Sequence, residues 1–440
     1  MTAPLSAYDA AFIWGFGREG RAVLDFLRRT APELPATIVD AQAPAAPPDG
    51  AAWIHQDALA DAVGAFEAPL LIKSPGVSLY DAQVDAALAA GATLTSQTNL
   101  YFQHKPPHQR VFAITGTKGK STTAALLHHM LEALGEDAVL AGNIGVPVIE
   151  TPANARIVVL ELSSYQIADL AHAPDAFIFL NLSNDHAPWH RGVERYRADK
   201  ARLARLDPNC LGVMNAGDER LQALFGHQPN RLWYGRDDAF HVTGGAVWRG
   251  DQRWGPIPAL PGRHNALNAC AALTLLDAEG FDAEAGFASL SSFKGLPHRM
   301  QIVHEAEGLT FIDDGLATTP EACLNAVEAL SERPLALLLG GEDRDQDYAW
   351  LAAQLETQDH VQAILALADN GERIVEAMRR GRHGAATRFS PEVADAVRDA
   401  AAALPDGGVV LLSPAAPRGQ SYKSFEERGA DFLAAARALR

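Results

Sequence analysis

Cysteine is scarce in this sequence, and positive charge is outnumbered. Three cysteines occur in 440 residues, at positions 210, 270 and 323, and none forms a CxxC pair. This spacing excludes a disulfide framework and a zinc ribbon and is typical of a protein of the reducing cytoplasm. The 37 Lys and Arg residues face 54 Asp and Glu residues, a formal net charge of −17. No general basic field is present to hold nucleic acid, so any anionic ligand must be bound by local groups.

Long apolar runs are also missing. No stretch of about 18 uncharged apolar residues occurs, which argues against a membrane span. The first residues lack the basic region and apolar stretch of an export signal, so we expect a cytoplasmic protein. The composition is 48% hydrophobic, which is ordinary for folded protein. A length of 440 residues predicts roughly two to four domains.

Short apolar, β-branched runs alternate with helix-length amphipathic stretches. This pattern is typical of an α/β protein whose parallel sheets are covered by helices. The predicted strands are residues 11–14, 36–39, 111–115, 157–162, 177–182, 335–339, 361–365 and 409–412. Composition breaks at 96–110 and 291–300 predict three domains, near 1–105, 106–300 and 301–440.

A glycine-rich turn follows the first strand. The sequence GFGREG at 15–20 has the GxGxxG pattern before a predicted helix over 21–29, and Asp40 ends the next strand. Glycines let a backbone approach a diphosphate at a helix N-terminus, and the acidic residue can accept from a ribose or a base. An ordinary tight turn is the alternative. The sequence KSPG at 73–76 would line the same crevice, so the first domain is predicted to hold a nucleotide-like group.

The sharper signal is GTKGKSTT at 116–123, between a strand and a helix predicted from about Thr122. Backbone N–H groups of such a loop bind phosphates, Lys120 can reach the β and γ groups, and the Ser121 hydroxyl can bind Mg²⁺. The loop departs from the strict Walker pattern because Ile114 stands where glycine is expected. The sequence nevertheless predicts an ATP-binding loop.

Chemistry-bearing side chains follow at the ends of later strands. Glu161 ends the strand over 157–162, where a carboxylate partner for Mg²⁺ would be needed. His186 lies in an NDH turn and Lys200 in YRADK. A hydrogen-bonded loop histidine and a solvated helix lysine are the alternatives for these two residues.

Two asparagines and an arginine complete the candidate set. Asn265 and Asn268 are three apart at a predicted helix start, so they share a face. They either cap the helix or hold the adenine and the phosphate end of ATP. Arg299 lies at the second predicted boundary, where closure of one domain over another can bring it to a nucleotide.

These elements, in this order over nearly the whole chain, resemble the bacterial Mur ligase family. The motifs that carry the resemblance are GTKGKSTT, LELSSYQ, NDH, YRADK, LPGRHNALNA and GLPHRM. Among family members, the match is closest to those that add glutamate to UDP-N-acetylmuramoyl-L-alanine. The resemblance implies a Rossmann-like UDP-substrate domain at 1–105, a central P-loop ATPase-like domain at 106–300 and a Rossmann-like glutamate-binding domain at 301–440.

The resemblance also implies roles for individual residues. The catalytic residues would be Lys120, His186 and Lys200. ATP would contact Gly116, Thr117, Lys118, Gly119, Lys120, Ser121, Thr122, Asn265, Asn268, Arg299 and Asp314. The UDP-substrate would contact Gly15, Phe16, Gly17, Arg18, Asp40, Ser74, Pro75, Gly76, Asn143 and His186. Two Mg²⁺ ions would be held by Ser121, Glu161, His186 and Lys200, with Lys200 carbamylated to supply a carboxylate.

The third domain departs from the common family pattern. Members that add D-glutamate carry a stretch like NDSKATN, whose lysine and threonine contact the incoming amino acid. Here DDGLATTP at 313–320 places Leu316 at the lysine position, Arg418 stands where a serine is common, and Arg344 replaces a usual lysine. This stretch and GREGR at 17–21 look like the variant that adds L-glutamate, whose product a separate enzyme then epimerises. The expected glutamate-binding residues are Leu316, Thr318, Arg344, Arg418 and Phe425.

Other functions stay open at this point. D-Glutamate addition is the main alternative, and a folylpolyglutamate-type ligase is a further member of the same family. An NAD(P)-dependent oxidoreductase would use GxGxxG and Asp40 but would leave GTKGKSTT and Glu161 without a role. A non-catalytic nucleotide-binding protein would bind ATP without releasing phosphate in response to substrate.

Overall fold

The structure, a computed structural model, describes residues 3–43, 48, 51–183, 189–257, 262–343, 346–419, 421–422 and 424–439, without the side chain of Glu321. The chain divides into two compact units, Met1–Phe293 and Lys294–Arg440. The helices, in chain order, are α1 (Arg18–Thr30), α2 (Leu59–Val63), α3 (Ala82–Ala89), α4 (Gln97–His104), α5 (Lys120–Ala133), α6 (Ser164–Ala168), α7 (Val193–Ala201), α8 (Glu219–Phe225), α9 (Arg263–Ala278), α10 (Ala283–Ser289), α11 (Pro320–Glu328), α12 (Tyr348–Leu355), α13 (Gly371–Met378), α14 (Val393–Ala402) and α15 (Phe425–Ala438).

The first sheet of the larger unit has five parallel strands. They are β1 (Ala10–Trp14), β2 (Ala36–Asp40), β3 (Ala51–His55), β4 (Pro69–Lys73) and β5 (Thr93–Ser96). Their order is β3-β2-β1-β4-β5. Every residue of β1 and β4 is buried, as expected where helices cover both faces. The carboxyl ends of β1 and β4 meet where the strand order reverses, which is where such sheets bind ligands.

The second sheet has six parallel strands. They are β6 (Arg110–Thr115), β7 (Ala138–Gly142), β8 (Ile157–Glu161), β9 (Ala176–Phe179), β10 (Leu211–Asn215) and β11 (Arg231–Tyr234). Their order is β11-β10-β9-β6-β8-β7. The chain runs first to one side of β6 and then to the other, so the loop after β6 lies at the reversal point of this sheet. A separate antiparallel sheet follows, formed by β12 (Phe240–Thr243), β13 (Ala246–Arg249) and β14 (Gln252–Gly255).

The smaller unit has its own six-stranded sheet. The strands are β15 (Gln301–Ala306), β16 (Leu309–Asp313), β17 (Leu335–Leu339), β18 (Val361–Ala366), β19 (Thr387–Phe389) and β20 (Gly408–Leu412). Their order is β15-β16-β20-β17-β18-β19, and only the β15–β16 pair is antiparallel. Leucine, valine and alanine side chains from alternate positions of β17 and β20 enter two hydrophobic clusters, one on each face of the sheet.

The predicted α/β fold class is confirmed, and all eight predicted strands are present. The helix predicted over 21–29 begins earlier, at Arg18, and the helix predicted from about Thr122 begins at Lys120. The antiparallel β12–β14 sheet was not predicted. No described helix is long and apolar enough to cross a membrane.

The stretch at 96–110, predicted as a composition break, contains the buried helix α4. Its polar residues Gln97, Thr98 and Asn99 are at most 5% exposed. The Asn99 amide donates to the carbonyl oxygen of Asp169 at 2.9 Å and accepts from the backbone N–H of Ala171 at 2.8 Å. These bonds satisfy the Asn99 amide inside the protein, and the burial of all three residues shows that a polar stretch here does not mark an exposed linker. The division between the two units falls between Phe293 and Lys294, inside the second predicted break; the three-domain boundaries themselves stay a prediction.

Candidate nucleotide and metal site

The loop between β6 and α5 presents backbone donors at a helix start. Gly119 is the N-cap of α5 and adopts a left-handed conformation with φ +85°. The first N–H groups of a helix lack partners within the helix and lie at the positive end of its dipole. Lys120 and Ser121 are the first two residues of α5. This arrangement can bind a phosphate chain, as the sequence predicts.

Side chains from neighbouring elements hold this loop in place. Asn181 accepts from the Lys118 N–H at 2.9 Å and donates to the Lys118 carbonyl oxygen at 3.0 Å. The Thr117 hydroxyl lies 2.9 Å from the Tyr196 hydroxyl and accepts from the Ser183 N–H at 3.0 Å. Because its conformation is fixed by these bonds, the loop needs little rearrangement to bind phosphates.

Two lysines lie at the loop. The Lys120 Nζ donates to the carbonyl oxygen of Thr117 at 3.1 Å. Lys200, on α7, is 2% exposed, and its Nζ donates to the carbonyl oxygen of Gly116 at 2.9 Å. The structure therefore brings Lys200 to the predicted site rather than into solvent, and the solvated alternative is wrong.

Glu161 ends β8 beside the loop and is fully buried. Its Oε1 accepts from Nδ2 of Asn143 at 2.7 Å. Its Oε2 is buried and has no hydrogen-bond partner among the described residues. A buried carboxylate oxygen without a donor is costly unless another group binds it. The structure thus joins Asn143 to Glu161 and leaves one oxygen available for a cation.

Asn268 approaches the same loop from α9. It is 9% exposed, and a Cβ added to Gly119 would lie 2.7 Å from its Oδ1. No described side chain caps α9, whose N-cap is Gly262. The capping alternative is therefore wrong for Asn268, which lies against the phosphate loop. Asn265 lies one turn earlier, and its backbone N–H donates to the carbonyl oxygen of Gly262 at 3.1 Å.

The predicted nucleotide turn of the first sheet is assembled around Gly15. Gly15 has φ +89°, and a Cβ there would lie 2.9 Å from Cβ of Ser74. The Ser74 hydroxyl donates to the Gly15 carbonyl oxygen at 2.6 Å, and Asp40 accepts from the Phe16 N–H at 3.0 Å. A Cβ at Gly17 or at Gly76 would meet nothing within 4 Å. The open backbone at these two glycines leaves room for a ligand.

The KSPG segment also contacts segments that connect strands of the second, six-stranded sheet, which is the central sheet of the chain. The Trp189 Nε1 donates to the Pro75 carbonyl oxygen at 3.1 Å. Lys73 and Asp169 form an ion pair at 3.3 Å with side chains only 1% and 6% exposed. Burial raises the pKa of Asp169, while Lys73 acts in the opposite direction. Removing either partner would leave a buried charge without compensation.

Arg18 and Glu19 extend from the GFGREG turn to the central sheet. The Arg18 guanidinium donates to carbonyl oxygens of Gly142 and Gly145. Glu19 accepts from Nε2 of Gln166 at 3.0 Å. Burial raises the pKa of Glu19 to about 7, against the opposing effects of Arg18 and Lys73. The contacts of Arg18 thus lie on the protein backbone at 142–145.

In the smaller unit, Asp314 is held inside the protein. It is 8% exposed and accepts from the Ser413 hydroxyl at 2.8 Å and from the Met300 N–H at 3.2 Å. Burial raises the pKa of Asp314 to about 7. Arg299, predicted to contact ATP together with Asp314, is exposed.

Among the residues predicted to bind glutamate, Leu316 and Phe425 both contact His298, whereas Arg418 does not. The Leu316 N–H donates to the His298 carbonyl oxygen at 3.2 Å, and the ring of Phe425 lies edge-on to that of His298, with centroids 5.3 Å apart. Arg418 instead donates to the Gly419 and Tyr422 carbonyl oxygens of its own segment. It lines a cavity of about 250 Å³. Thr318 is exposed.

Two predicted residues, His186 and Arg344, lie outside the described residues. Within the described ranges, no group of three or more His, Cys, Asp or Glu side chains is arranged to hold a metal ion.

Several residues that the sequence did not single out have side chains that support the backbone near predicted site residues, in the larger unit and in the smaller one. Asn181 and Tyr196 fix the phosphate loop. Arg428 is 1% exposed and donates to the carbonyl oxygens of Gly340 and Gly315 at 3.2 and 3.1 Å. Asn181 is the next-to-last residue of the predicted strand over 177–182 and Tyr196 lies in YRADK, so position in a motif was the available signal. Nothing in the local sequence around Arg428 indicates its two backbone acceptors.

Comparison with known proteins identifies relatives over most of the chain. The model of the Mur ligase middle domain matches residues 114–276, and that of the Mur ligase glutamate ligase domain matches residues 298–416. A UDP-N-acetylmuramoyl-L-alanine--L-glutamate ligase of Xylella fastidiosa (strain Temecula1) is 38% identical over 442 residues, covering 96% of this chain and 93% of that protein. A ligase of the same name from Salinispora tropica is 37% identical, covering 97% and 96%.

Solved structures show the same fold at lower sequence identity. The UDP-N-acetylmuramate-alanine ligase of Thermotoga maritima has a TM-score of 0.60 at 18% identity, covering 98% of this chain and 100% of that chain. The MurF ligase of Thermotoga maritima, solved in complex with ADP, has a TM-score of 0.57 at 17% identity, covering 97% and 95%.

Proposed function

The chain belongs to the Mur ligase family, and we infer that it joins L-glutamate to UDP-N-acetylmuramoyl-L-alanine at the expense of ATP, a step in peptidoglycan precursor synthesis. The observation that carries this function is likeness along almost the whole chain to ligases of that name, at 36–38% identity. The phosphate loop, with Lys120 and Lys200 bonded to its backbone, supplies the ATP side of the reaction.

The reaction class follows from the groups that must meet. The alanine carboxylate attacks the γ-phosphorus of ATP, ADP leaves, and an acyl phosphate forms. The glutamate amine then attacks the acyl carbon, and the resulting tetrahedral intermediate expels phosphate and loses a proton. Both partners in the first step are anions, so the N–H groups of the loop and Lys120 are needed to stabilise the developing charge. Exclusion of water protects the acyl phosphate from hydrolysis.

Mg²⁺ fits the residues present. The buried Oε2 of Glu161 lacks a donor among the described residues, and Ser121 is 6% exposed at the first turn of α5. Oxygen atoms of this kind are the ligands that Mg²⁺ prefers. We assign Ser121 and Glu161 to Mg²⁺, with His186 and Lys200 at a second site. When bound, the metal would neutralise phosphate charge.

The proposal includes carbamylation of Lys200, which would convert a cation into a carboxylate. The side chain is 2% exposed and its Nζ lies at the phosphate loop, so the modified group would be close to bound nucleotide. A fall in activity at low bicarbonate, with rescue of Lys200→Ala by a small carboxylate, is the expected result. Activity that is independent of bicarbonate and a variant that small carboxylates do not rescue would contradict it.

The finer points of the proposal concern the product and its fate. An L-glutamyl product requires a separate epimerase to invert the glutamyl centre. We place the reaction in the cytoplasm, where the three buried cysteines would remain free thiols. Leu316, Thr318, Arg344, Arg418 and Phe425 are the residues proposed to contact glutamate.

The test is phosphate release from ATP with Mg²⁺ and UDP-N-acetylmuramoyl-L-alanine, with L-glutamate and D-glutamate in parallel. Stimulation by L-glutamate is expected. Stimulation by D-glutamate alone would keep the family and overturn the proposed stereochemistry. Absence of stimulation by either would overturn glutamate addition.

A further inference from the structure

The side chain of Arg18 leaves the first sheet and binds the backbone of the central one. Its Nη1 donates to the Gly145 carbonyl oxygen at 2.9 Å, and its Nη2 donates to that of Gly142 at 3.1 Å. Both acceptors belong to the 142–145 loop, which begins at Gly142, the last residue of β7. A guanidinium presents several N–H groups in a fixed plane, so it can bind two separate acceptors at once.

The 142–145 loop is the backbone next to Glu161. Gly142 pairs with Glu161 in the β7–β8 ladder, and the Asn143 N–H donates to the Glu161 carbonyl oxygen at 3.0 Å. A Cβ at Gly142, where φ is +100°, would lie only 2.3 Å from that same oxygen. The Asn143 side chain also donates to Glu161 Oε1. The loop therefore cannot shift without disturbing Glu161.

Glu19 contacts the segment that follows Glu161 in the sequence. Its carboxylate accepts from Nε2 of Gln166, a residue that is 3% exposed. Oε1 of Gln166 accepts from the Ser163 N–H at 2.9 Å and completes the capping box that begins α6. Both polar atoms of the Gln166 amide are therefore hydrogen-bonded, Nε2 to Glu19 and Oε1 to Ser163. Ser163 follows Glu161 by two positions, so this contact fixes the segment directly after the metal-binding candidate.

We propose that Arg18 and Glu19 are positioning residues for the reaction centre: from one turn of the first sheet they hold the 142–145 loop and the start of α6, and thereby Asn143 and Glu161. This inference rests on the proposed function, because it assigns both residues to the ligase reaction. It also changes the role predicted for Arg18, which was contact with the UDP-substrate. The first sheet then contributes to turnover as well as to substrate affinity.

Arg18→Lys separates positioning from phosphate binding. Lysine keeps the positive charge and can serve a diphosphate as a point charge, but its single ammonium cannot bind two separated carbonyl oxygens with the geometry of a guanidinium. If Arg18 binds the diphosphate, Arg18→Lys retains activity and Arg18→Ala raises the KM for UDP-N-acetylmuramoyl-L-alanine. If Arg18 positions the loop, both variants lower kcat by about tenfold or more, and lysine does not repair any change in that KM that accompanies displacement of Asn143.

The matched control is Arg29→Ala. Arg29 is exposed on the last turn of α1, so its removal takes the same charge from the same helix and should leave both constants unchanged. Glu19 provides a second, independent pair of variants. Glu19→Gln keeps an oxygen that accepts from Gln166 and should retain most of kcat, whereas Glu19→Ala should lower kcat.

A second readout needs neither substrate nor metal. Amide hydrogen exchange of the full chain should be faster in peptides covering 138–147 in Arg18→Ala than in wild type, and unchanged in Arg29→Ala. Peptides covering 211–215, in β10 of the same unit, report whether that unit as a whole has been destabilised and should not change.

Normal kcat in Arg18→Ala, a KM defect repaired by lysine, or unchanged exchange at 138–147 would each overturn the inference. Wild-type protein that is inactive with both glutamate enantiomers would overturn the proposed function instead, and the exchange comparison would still test the contact between Arg18 and the loop.

Discussion

At the scale of single residues, Lys120 and Glu161 are oppositely charged side chains beside the phosphate loop, and we propose that one binds phosphate and the other binds Mg²⁺. Lys120 begins α5 and is proposed to offset phosphate charge, while Glu161 is fully buried with an oxygen that no described residue donates to. Removal of one preorganised electrostatic group typically costs about 10²- to 10³-fold in turnover. We expect Lys120→Ala and Glu161→Ala each to lose at least about 10²-fold.

Phosphate release with saturating substrates measures this loss. Glu132→Ala, which removes an exposed carboxylate from the last turns of α5, should retain normal turnover. Near-normal turnover in either Lys120→Ala or Glu161→Ala would contradict the assignment of the ATP site.

Asp314 makes the stability of the smaller unit depend on pH. Its pKa rises from an ordinary 3.8 to about 7 because the carboxyl is buried. Between these values the folded chain binds more protons than the unfolded chain, so the free energy of unfolding falls as pH rises through this window. The stabilisation is complete below about pH 3.8. The whole change is on the order of 4 kcal/mol.

Asp314→Asn tests this effect because an amide keeps polar contacts with Ser413 and Met300 but does not titrate. In calorimetry of the full chain, the advantage of wild type over the variant should shrink between pH 5 and pH 8. An advantage that stays constant over that range would show that Asp314 ionises at its ordinary pKa, and one that grows would show that ionisation of Asp314 stabilises the folded chain.

At the scale of elements, the start of α5 depends on a conformation that only glycine adopts readily. Gly119→Ala would place a Cβ 2.7 Å from Oδ1 of Asn268 at φ +85°, so the backbone would be strained and the Asn268 side chain would have to move. Gly135 follows the other end of α5 with φ +80°, and a Cβ there would meet nothing within 4 Å. The backbone strain is therefore similar at the two ends, about 1–2 kcal/mol.

This pair of glycines separates stability from function. Both alanine variants should lower the thermal midpoint by similar amounts, but only Gly119→Ala should weaken ATP binding, by about tenfold or more, in isothermal titration. Equal ATP affinity in the two variants would mean that the loop tolerates displacement at Gly119.

The elements that could be predicted are those with a local signature. Buried strands such as β6 and β17 are continuous apolar runs, and the glycines around Lys120 mark a strand-to-helix turn. The β12–β14 sheet could not be predicted, since its short strands mix Trp, Arg and Gly. The GxGxxG pattern predicts that Arg18 lies on a strand-to-helix turn. It does not predict that the side chain binds Gly142, which is 124 positions away in the sequence.

At the scale of the whole molecule, the two composition breaks of the sequence have different physical meanings. The described part of the larger unit contains three sheets and that of the smaller unit one, and each unit has its own hydrophobic clusters. The break at 96–110, in contrast, lies within the larger unit, where α4 is buried and Lys73 pairs with Asp169 across the two sheets. A domain boundary in sequence is therefore a place where the chain can be cut only if no buried polar pair spans it.

Fragments of the chain test this difference. A fragment of residues 294–440 retains both hydrophobic clusters of its sheet and should unfold cooperatively on heating. A fragment of residues 106–293 loses Lys73 and leaves Asp169 without its partner, and it also exposes the carbonyl oxygen and N–H that bind Asn99. The fragment also loses Tyr101, which packs in the hydrophobic cluster of the second sheet. Burial of a large apolar side chain is worth about 1.5–3 kcal/mol, a sizeable part of the stability of a domain. We expect this fragment to lack a cooperative thermal transition, while residues 1–293 retain one. A cooperative transition in the 106–293 fragment, at a midpoint close to that of 1–293, would show that the central sheet is stable without the first and that the buried pair adds little.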